Sequence, residues 1–323
     1  MARFLESNLR DFETALGTVV DRVDPRRLYE PSSYILAGKG KRFRPQLVLS
    51  AADVFKGDRS VAMQAAVAVE VFHIFTLVHD DIMDRSPTRR GRDTVHVKWD
   101  EATAILTGDY LLGRTTELLL AYPDHRLRTA MEVFTDTVRK LCEGQIRDME
   151  FEERSDVILE EYLQMIDQKT SALLECSLVL GGLSGVASES DVHVLTELGH
   201  HLGRAFQIQD DLLDLPASSE SWGKPVGGDL KAAKKTWLLL QALMAESGED
   251  RDWFEALVKR GGARADEIPE ARQRMERLGV IESARSAVIF HSREAQNRID
   301  GLPEGTGRVA LSALTMKMQQ RLH

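Results

Sequence analysis

The sequence predicts an all-α protein, and three observations carry that expectation. Apolar residues recur at helical spacing along most of the 323-residue chain. Hydrophobic residues make up 43% but aromatics only 6%, with 23 Gly and 9 Pro, too few aromatics and breakers for a strand-rich sandwich. No convincing strand run interrupts the helical pattern. The length is ample for a sizeable core. We expect residues 1–323 to form a single domain of roughly ten or more helices.

Helical patterns are read at LRDFETALGTVVDRV (9–23), AAVAVEVFHIFTLV (65–78) and ATAILTGDYLLGRTTELLL (102–120). They continue over 158–183, which ends in LLECSLVLGGL, and in LTELGHHLGRAFQIQDDLLDL (195–215). The 65–78 segment is apolar on most sides, as a buried helix is. Breaks fall at clusters of Pro, Gly and Ser: 24–33, 86–93, 122–126, 215–229, 259–270 and 300–307. None has the composition of an interdomain linker. The apolar stretches 65–78 and 171–187 carry Glu70 and Glu175 near their centres, so neither is read as membrane-spanning. The charged start, MARFLESNLRDFE, lacks an apolar signal core. Two cysteines, Cys142 and Cys176, cannot build a disulfide framework. A net charge of −9 argues against nucleic-acid binding. A cytoplasmic protein is expected.

Two aspartate groups share the spacing D-D-x-x-D: Asp80, Asp81 and Asp84 in HDDIMDR, and Asp210, Asp211 and Asp214 in DDLLD. On a helix, i and i+4 share a face and i+1 lies about 100° round. Asp80 with Asp84, and Asp210 with Asp214, can therefore each chelate one cation. Oxygen ligands suit Mg²⁺, which combines a few carboxylates with waters and substrate phosphate oxygens. The bland alternative is a solvated acidic helix end. Both groups, however, close strongly apolar segments, where the helix macrodipole disfavours negative charge. The same rule broken twice points to function. Two facing clusters would make a cage for several Mg²⁺ ions holding a polyphosphate. Neither group has the Gly and ligand alternation of a calcium loop.

Basic clusters stand out against the acidic background. GKGKRFRP (38–45) places Lys41, Arg42 and Arg44 around the start of a helix that Pro45 is expected to open, a ready anion site. Arg89, Arg90 and Arg92 follow the first aspartate group, and arginine forks suit phosphate oxygens. Lys224, Lys231, Lys234 and Lys235 follow the second, beside a Gly-rich turn. No strand is expected before GKGK or GKPVGG, so a P-loop reading fails. His73 lies two helical turns before Asp80 and could donate to a diphosphate or be a satisfied core histidine. Lys169, beside Thr170, is either a snorkelling surface group or a ligand reaching into a cavity.

GKGKRFRP, HDDIMDRSPTRRG, GQIRDME, DQKTSALL, FQIQDDLLD and GKPVGGDLKAAKKT, in that order over most of residues 38–236, resemble the trans-type isoprenyl diphosphate synthases (polyprenyl synthetases). LPEGTGRVALSAL resembles the closing segment of that family. The resemblance implies an antiparallel helical bundle of the isoprenoid synthase type around a deep central cavity, usually a homodimer. It also implies a Mg²⁺ requirement, with three ions per active site once substrate is bound. The reaction implied adds isopentenyl diphosphate to an allylic diphosphate. By the same resemblance Asp80, Asp84 and Asp210 lead the Mg²⁺ ligands, supported by Asp81, Asp211 and Asp214. Lys41, Arg44, His73 and Arg90 would hold isopentenyl diphosphate. Arg89, Lys169, Thr170, Gln207, Lys224 and Lys234 would hold the allylic diphosphate, with Lys169 and Lys224 also assisting catalysis. The family has glycine where this chain has Ala233, which leaves Lys231 and Lys234 as alternatives for the last lysine.

Mg²⁺ and fixed cations would stabilise the charge that develops on a departing diphosphate. No Ser, Cys or His nucleophile is needed. Phe75 and Thr76 lie about one turn before Asp80 and should line the cavity below the metals, where a bulky aromatic tends to set product length in the family. With Phe75 present and the short form of the first motif, a C20 product is favoured and C15 is next. Two rival classes are weighed. A class I terpene cyclase would leave Lys41 and Arg44 without a role. A non-catalytic partner subunit would be expected to lose aspartates or cations that this chain keeps.

Overall fold

The protein is described by a computed structural model covering residues 2–215 and 227–319. Its helices are α1 (Ala2–Leu16), α2 (Arg26–Leu36), α3 (Phe43–Val54), α4 (Arg59–Met83), α5 (Val95–Lys98) and α6 (Glu101–Leu119). They continue with α7 (Asp124–Glu153), α8 (Leu159–Ile166), α9 (Ala172–Leu183), α10 (Glu189–Asp214) and α11 (Gly228–Lys231). The last are α12 (Trp237–Met244), α13 (Glu249–Lys259), α14 (Ile268–Arg277), α15 (Val280–Asp300) and α16 (Thr306–Gln319). A π turn, Asp167–Ser171, joins α8 to α9. The only sheet among the described residues is a hairpin of β1 (Thr88–Arg89) and β2 (Arg92–Asp93). The all-α class is as the helical periodicity predicts.

Two compact units divide the chain. The first comprises Met1–Phe134, Cys176–Leu195 and Leu302–Leu314, and the second Thr135–Glu175, Thr196–Gly301 and Thr315–His323. In the first unit α4 packs on α3 and α6 around buried Leu47, Val48, Val71, Phe72 and Leu111. Asp58 starts α4, accepting the Ser60 and Val61 amides at 2.8 and 3.1 Å, a capping arrangement typically worth about 1 kcal/mol. By length and hydropathy α4 could cross a membrane, but 61% of its apolar window is buried inside the protein, as in a core helix. Glu70 in its middle is explained by Arg42, whose Nη1 donates to Glu70 Oε1 at 2.7 Å while its Nε donates to Glu13 at 2.9 Å. The second unit has its own core, centred on Phe254, Leu257, Met275 and Ala284.

Three local expectations are corrected, and a fourth, the break at 86–93, is given a definite form. The helix expected over 9–23 ends at Leu16, where Gly17 and the β-branched Thr18, Val19 and Val20 disfavour another turn. The break expected at 24–33 is mostly helix: α2 passes through it with Pro31 inside, which removes only the amide that would have bonded the Arg27 carbonyl. Helix α3 opens at Phe43 and not at Pro45, with Arg42 left-handed at its N-cap (φ 48°). The 86–93 break is the β1–β2 hairpin, with Arg90 and Gly91 both at positive φ (53° and 74°) as a primed two-residue turn requires.

Candidate active site

The first aspartate group ends α4 as expected, with Asp84 its C-cap. Its three carboxylates differ in surroundings. Asp80 is half-buried and Asp84 exposed. Asp81 is only 1% exposed and accepts Arg89 Nε at 2.8 Å. Burial raises the Asp81 carboxyl above its ordinary range, although Arg89 pulls the other way. The i+1 aspartate therefore turns into the protein, leaving the i, i+4 pair at the helix end, and it anchors Arg89 beside the hairpin turn.

Beside this helix the first unit gathers its cations. Arg44 Nη1 lies 3.2 Å from His73 Nε2. A guanidinium has only donors, so Nε2 accepts and the His73 proton sits on Nδ1. Burial, then Arg44, Arg90, Arg89 and Arg42, hold the His73 pKa well below its usual value, so the ring is neutral at pH 7. Arg90 Nη1 donates to the Lys39 carbonyl at 2.8 Å, which ties the hairpin tip to the GKGKR loop. Lys41 is exposed in that loop. Arg42, by contrast, is 4% exposed and spent on Glu70, Glu13 and the Gly38 carbonyl, so it anchors the loop and is not positioned for a ligand. Phe75, half-buried, stacks edge-on to His79 at 4.7 Å and lies 5.4 Å from Phe72. Thr76 donates to the His73 carbonyl at 2.8 Å.

In the second unit, α10 ends on the second group. Asp211 repeats the role of Asp81: it is 4% exposed and accepts Tyr162 Oη at 2.6 Å, the Trp237 amide at 3.0 Å and Gln207 Nε2 at 3.2 Å. Burial raises its pKa above the ordinary carboxylate range. Asp210 is half-buried. Asp214 accepts the Gly228 and Asp229 amides at 3.2 and 2.8 Å, closing the first turn of α11. Burial and the neighbouring Asp214 push the Asp229 carboxyl up to about 7.

Lys169 and Thr170 sit in the π turn. Lys169 Nζ donates to Asp148 Oδ2 at 2.5 Å, and Lys234 Nζ lies 3.7 Å from the same oxygen. Of Lys231 and Lys234, it is Lys234 that joins Lys169. Burial pushes Asp148 up, but Lys234 and Lys169 outweigh it and hold the carboxyl below its ordinary value. Thr170 donates to Gln207 Oε1 at 3.1 Å. Lys224 lies outside the described residues. Asp148 carries no role in the sequence reading although it stands in GQIRDME. Only pairing that segment with DQKTSALL could have found it, since both motifs would have to be seen to share one carboxylate.

Among the described residues no three His, Cys, Asp or Glu side chains converge as a ready-made metal site. The chemistry of the donors nonetheless fits Mg²⁺: each motif offers an all-oxygen i, i+4 pair, and Mg²⁺ ordinarily takes one or two carboxylates and completes its shell with water and phosphate.

A family model described as polyprenyl synthetase matches residues 25–275, more than half of the chain. The chain is 37% identical over 305 residues to a short chain isoprenyl diphosphate synthase of Methanothermobacter thermautotrophicus, covering 94% of this chain and 93% of that one. It is 37% identical over 299 residues to a geranylgeranyl diphosphate synthase of Methanosarcina mazei, covering 91% and 90%. The crystal structure of a geranylgeranyl pyrophosphate synthetase from Pyrococcus horikoshii superimposes with a TM-score of 0.91 at 36% identity, covering 98% of this chain and 97% of that one. These matches embrace both aspartate motifs and the cations beside them, and the chain belongs to the polyprenyl synthetase family of trans-prenyltransferases.

Proposed function

We propose that the chain condenses isopentenyl diphosphate head-to-tail with an allylic diphosphate to give a short all-trans prenyl diphosphate, C20 before C15. Mg²⁺, three ions per site with substrate bound, would neutralise charge on the departing diphosphate. Asp80, Asp84 and Asp210 are its leading ligands. Asp214 assists, while Asp81 and Asp211 act chiefly by fixing Arg89 and Gln207. Lys169, Thr170, Gln207, Lys234, Arg89 and Lys224 hold the allylic diphosphate so that the carbon–oxygen bond breaks with its electron pair on the leaving group. Lys41, Arg44, Arg90 and His73 hold isopentenyl diphosphate, whose double bond attacks the allylic carbon. The released diphosphate then takes the proton lost from the adduct. Neutral His73 contributes by orienting Arg44.

The reading rests above all on the family's ordered motif set together with the gathering of Lys169 and Lys234 on Asp148. Phe75 and Thr76 set product length. The working form is a cytoplasmic homodimer acting as one domain per chain. The test incubates the purified chain with Mg²⁺, isopentenyl diphosphate and, separately, C5, C10 and C15 allylic diphosphates, and resolves the products by chain length. Products extended by C5 units, abolished by EDTA and restored by Mg²⁺, are expected. A hydrocarbon or alcohol made without isopentenyl diphosphate would assign a terpene cyclase instead, and no turnover a non-catalytic partner subunit.

A further inference from the structure

A π turn contains one residue more than the α-helical turn it replaces, and such turns persist where the surroundings hold them. Here α7 and α10 grip it from two sides. From α10, Arg204 Nε and Nη2 donate to Asp167 Oδ1 and Oδ2 at 2.8 and 2.7 Å, a bidentate pair at the first residue of the turn. A Cβ on the adjacent Gly203 would stand 2.4 Å from Ser171 Cα, so the last residue of the turn is held by backbone contact. One turn on, Gln207 takes Thr170. From α7, a Cβ on Gly144 would stand 2.6 Å from the Lys169 amide nitrogen. Arg147 Nε donates to Gln168 Oε1 at 3.0 Å, and Asp148 takes Lys169. Asp167 and Ser171, the two ends of the turn, are thus pinned to the consecutive residues Arg204 and Gly203.

We propose that the Asp167–Arg204 pair is a positioning device that keeps the extra residue in the turn, and through it sets the direction of Lys169 and Thr170 toward the allylic diphosphate. Loss of the extra residue would return the segment to α-helical register, about 100° of rotation per residue, and swing both side chains away from their present partners. The pair touches no reacting atom. His200 Nδ1 also lies 3.4 Å from Asp167 Oδ1. The inference rests on the proposed role of Lys169 and Thr170.

The test compares the wild-type chain with Arg204→Gln and Arg204→Lys, varying each substrate separately. Arg204→Gln is expected to raise KM for the allylic diphosphate about tenfold and leave KM for isopentenyl diphosphate within about twofold, as for the loss of one charge-assisted pair. Arg204→Lys, which keeps the charge without the fork, should recover part of that loss. Equal rises in both KM values, or an unchanged allylic KM, would overturn the proposal while leaving chain elongation standing. Amide hydrogen exchange over residues 167–173 gives an answer independent of turnover: faster exchange in Arg204→Gln is expected, and unchanged exchange would refute the clamp even if the wild-type chain proved inactive.

Discussion

Asp81 and Asp211 show how one residue type divides its work by position. The i+1 aspartate of each motif is buried and satisfied, while the i, i+4 pair stays at the helix end. The sequence spacing made the i, i+4 pairing legible. It could not reveal which neighbour would claim the third carboxylate, because Arg89, Tyr162 and the Trp237 amide come from other segments. Ala233 is the clearest single-residue anomaly. It stands where the family has glycine, and its φ is 49°, a left-handed conformation that disfavours any Cβ. Ala233→Gly should therefore stabilise the fold by about 0.5–1 kcal/mol, net of glycine's extra unfolded-state entropy. Urea unfolding measures this, and a lower midpoint in the variant would contradict the strain argument. Phe75 belongs to the same scale. Truncating it opens space about one turn below Asp80, so Phe75→Ala should lengthen the product by at least one C5 unit. Chromatography that shows the wild-type chain length would remove Phe75 from control of elongation.

At the scale of elements, two of the features that periodicity missed, the β1–β2 hairpin and the π turn, carry cations of the site. The β1–β2 hairpin has strands of two residues, too short for any alternation to register, and its turn uses Arg90-Gly91 in place of the usual Asn-Gly. Tyr34 braces it: the Arg92 guanidinium and the Lys98 ammonium lie 3.9 and 3.8 Å from the Tyr34 ring centroid, and Tyr34 Oη donates to the Asp93 carbonyl at 3.0 Å. The π turn lies inside the helical pattern over 158–183, because the apolar residues on either side of it keep helical spacing. Only tertiary contacts reveal the extra residue. Gly203 is where those contacts are tightest, since Ser171 Oγ and Cα lie 2.2 and 2.4 Å from the position of its missing Cβ. Gly203→Ala is expected to destabilise by about 1–3 kcal/mol, the usual cost of overpacking. Gly113→Ala is the control, because nothing lies within 4 Å of its Cβ position. Similar melting temperatures for the two variants would show that the turn can yield.

For the whole chain, helix class was legible from period, and α6, α9 and α10 close within a residue of the expected limits, whereas α4 and α10 start six residues before the patterns at 65–78 and 195–215. The polar interior was not legible, because buried pairs such as Arg42–Glu70 join residues far apart in sequence. A histidine pair is another case, and it governs how the chain should respond to acid. His201 Nδ1 and His291 Nδ1 lie 2.9 Å apart, so one ring donates and the other accepts. Burial, then His201, Arg204 and His200, hold His291 down to about 4, and His201 is also lowered, first by burial. Both folded values lie below the unfolded one. The unfolded chain therefore binds more protons as pH falls, and stability present above about pH 6.5 is lost progressively toward pH 4. For His291, 7% exposed, the drop from the ordinary value near 6.5 to about 4 corresponds to at most about 3.5 kcal/mol. Replacing His291 with Gln keeps one donor and one acceptor but removes the titration. Urea midpoints measured from pH 7 to pH 4 should fall less steeply for His291→Gln than for the wild-type chain, and parallel curves would assign the acid sensitivity to other groups.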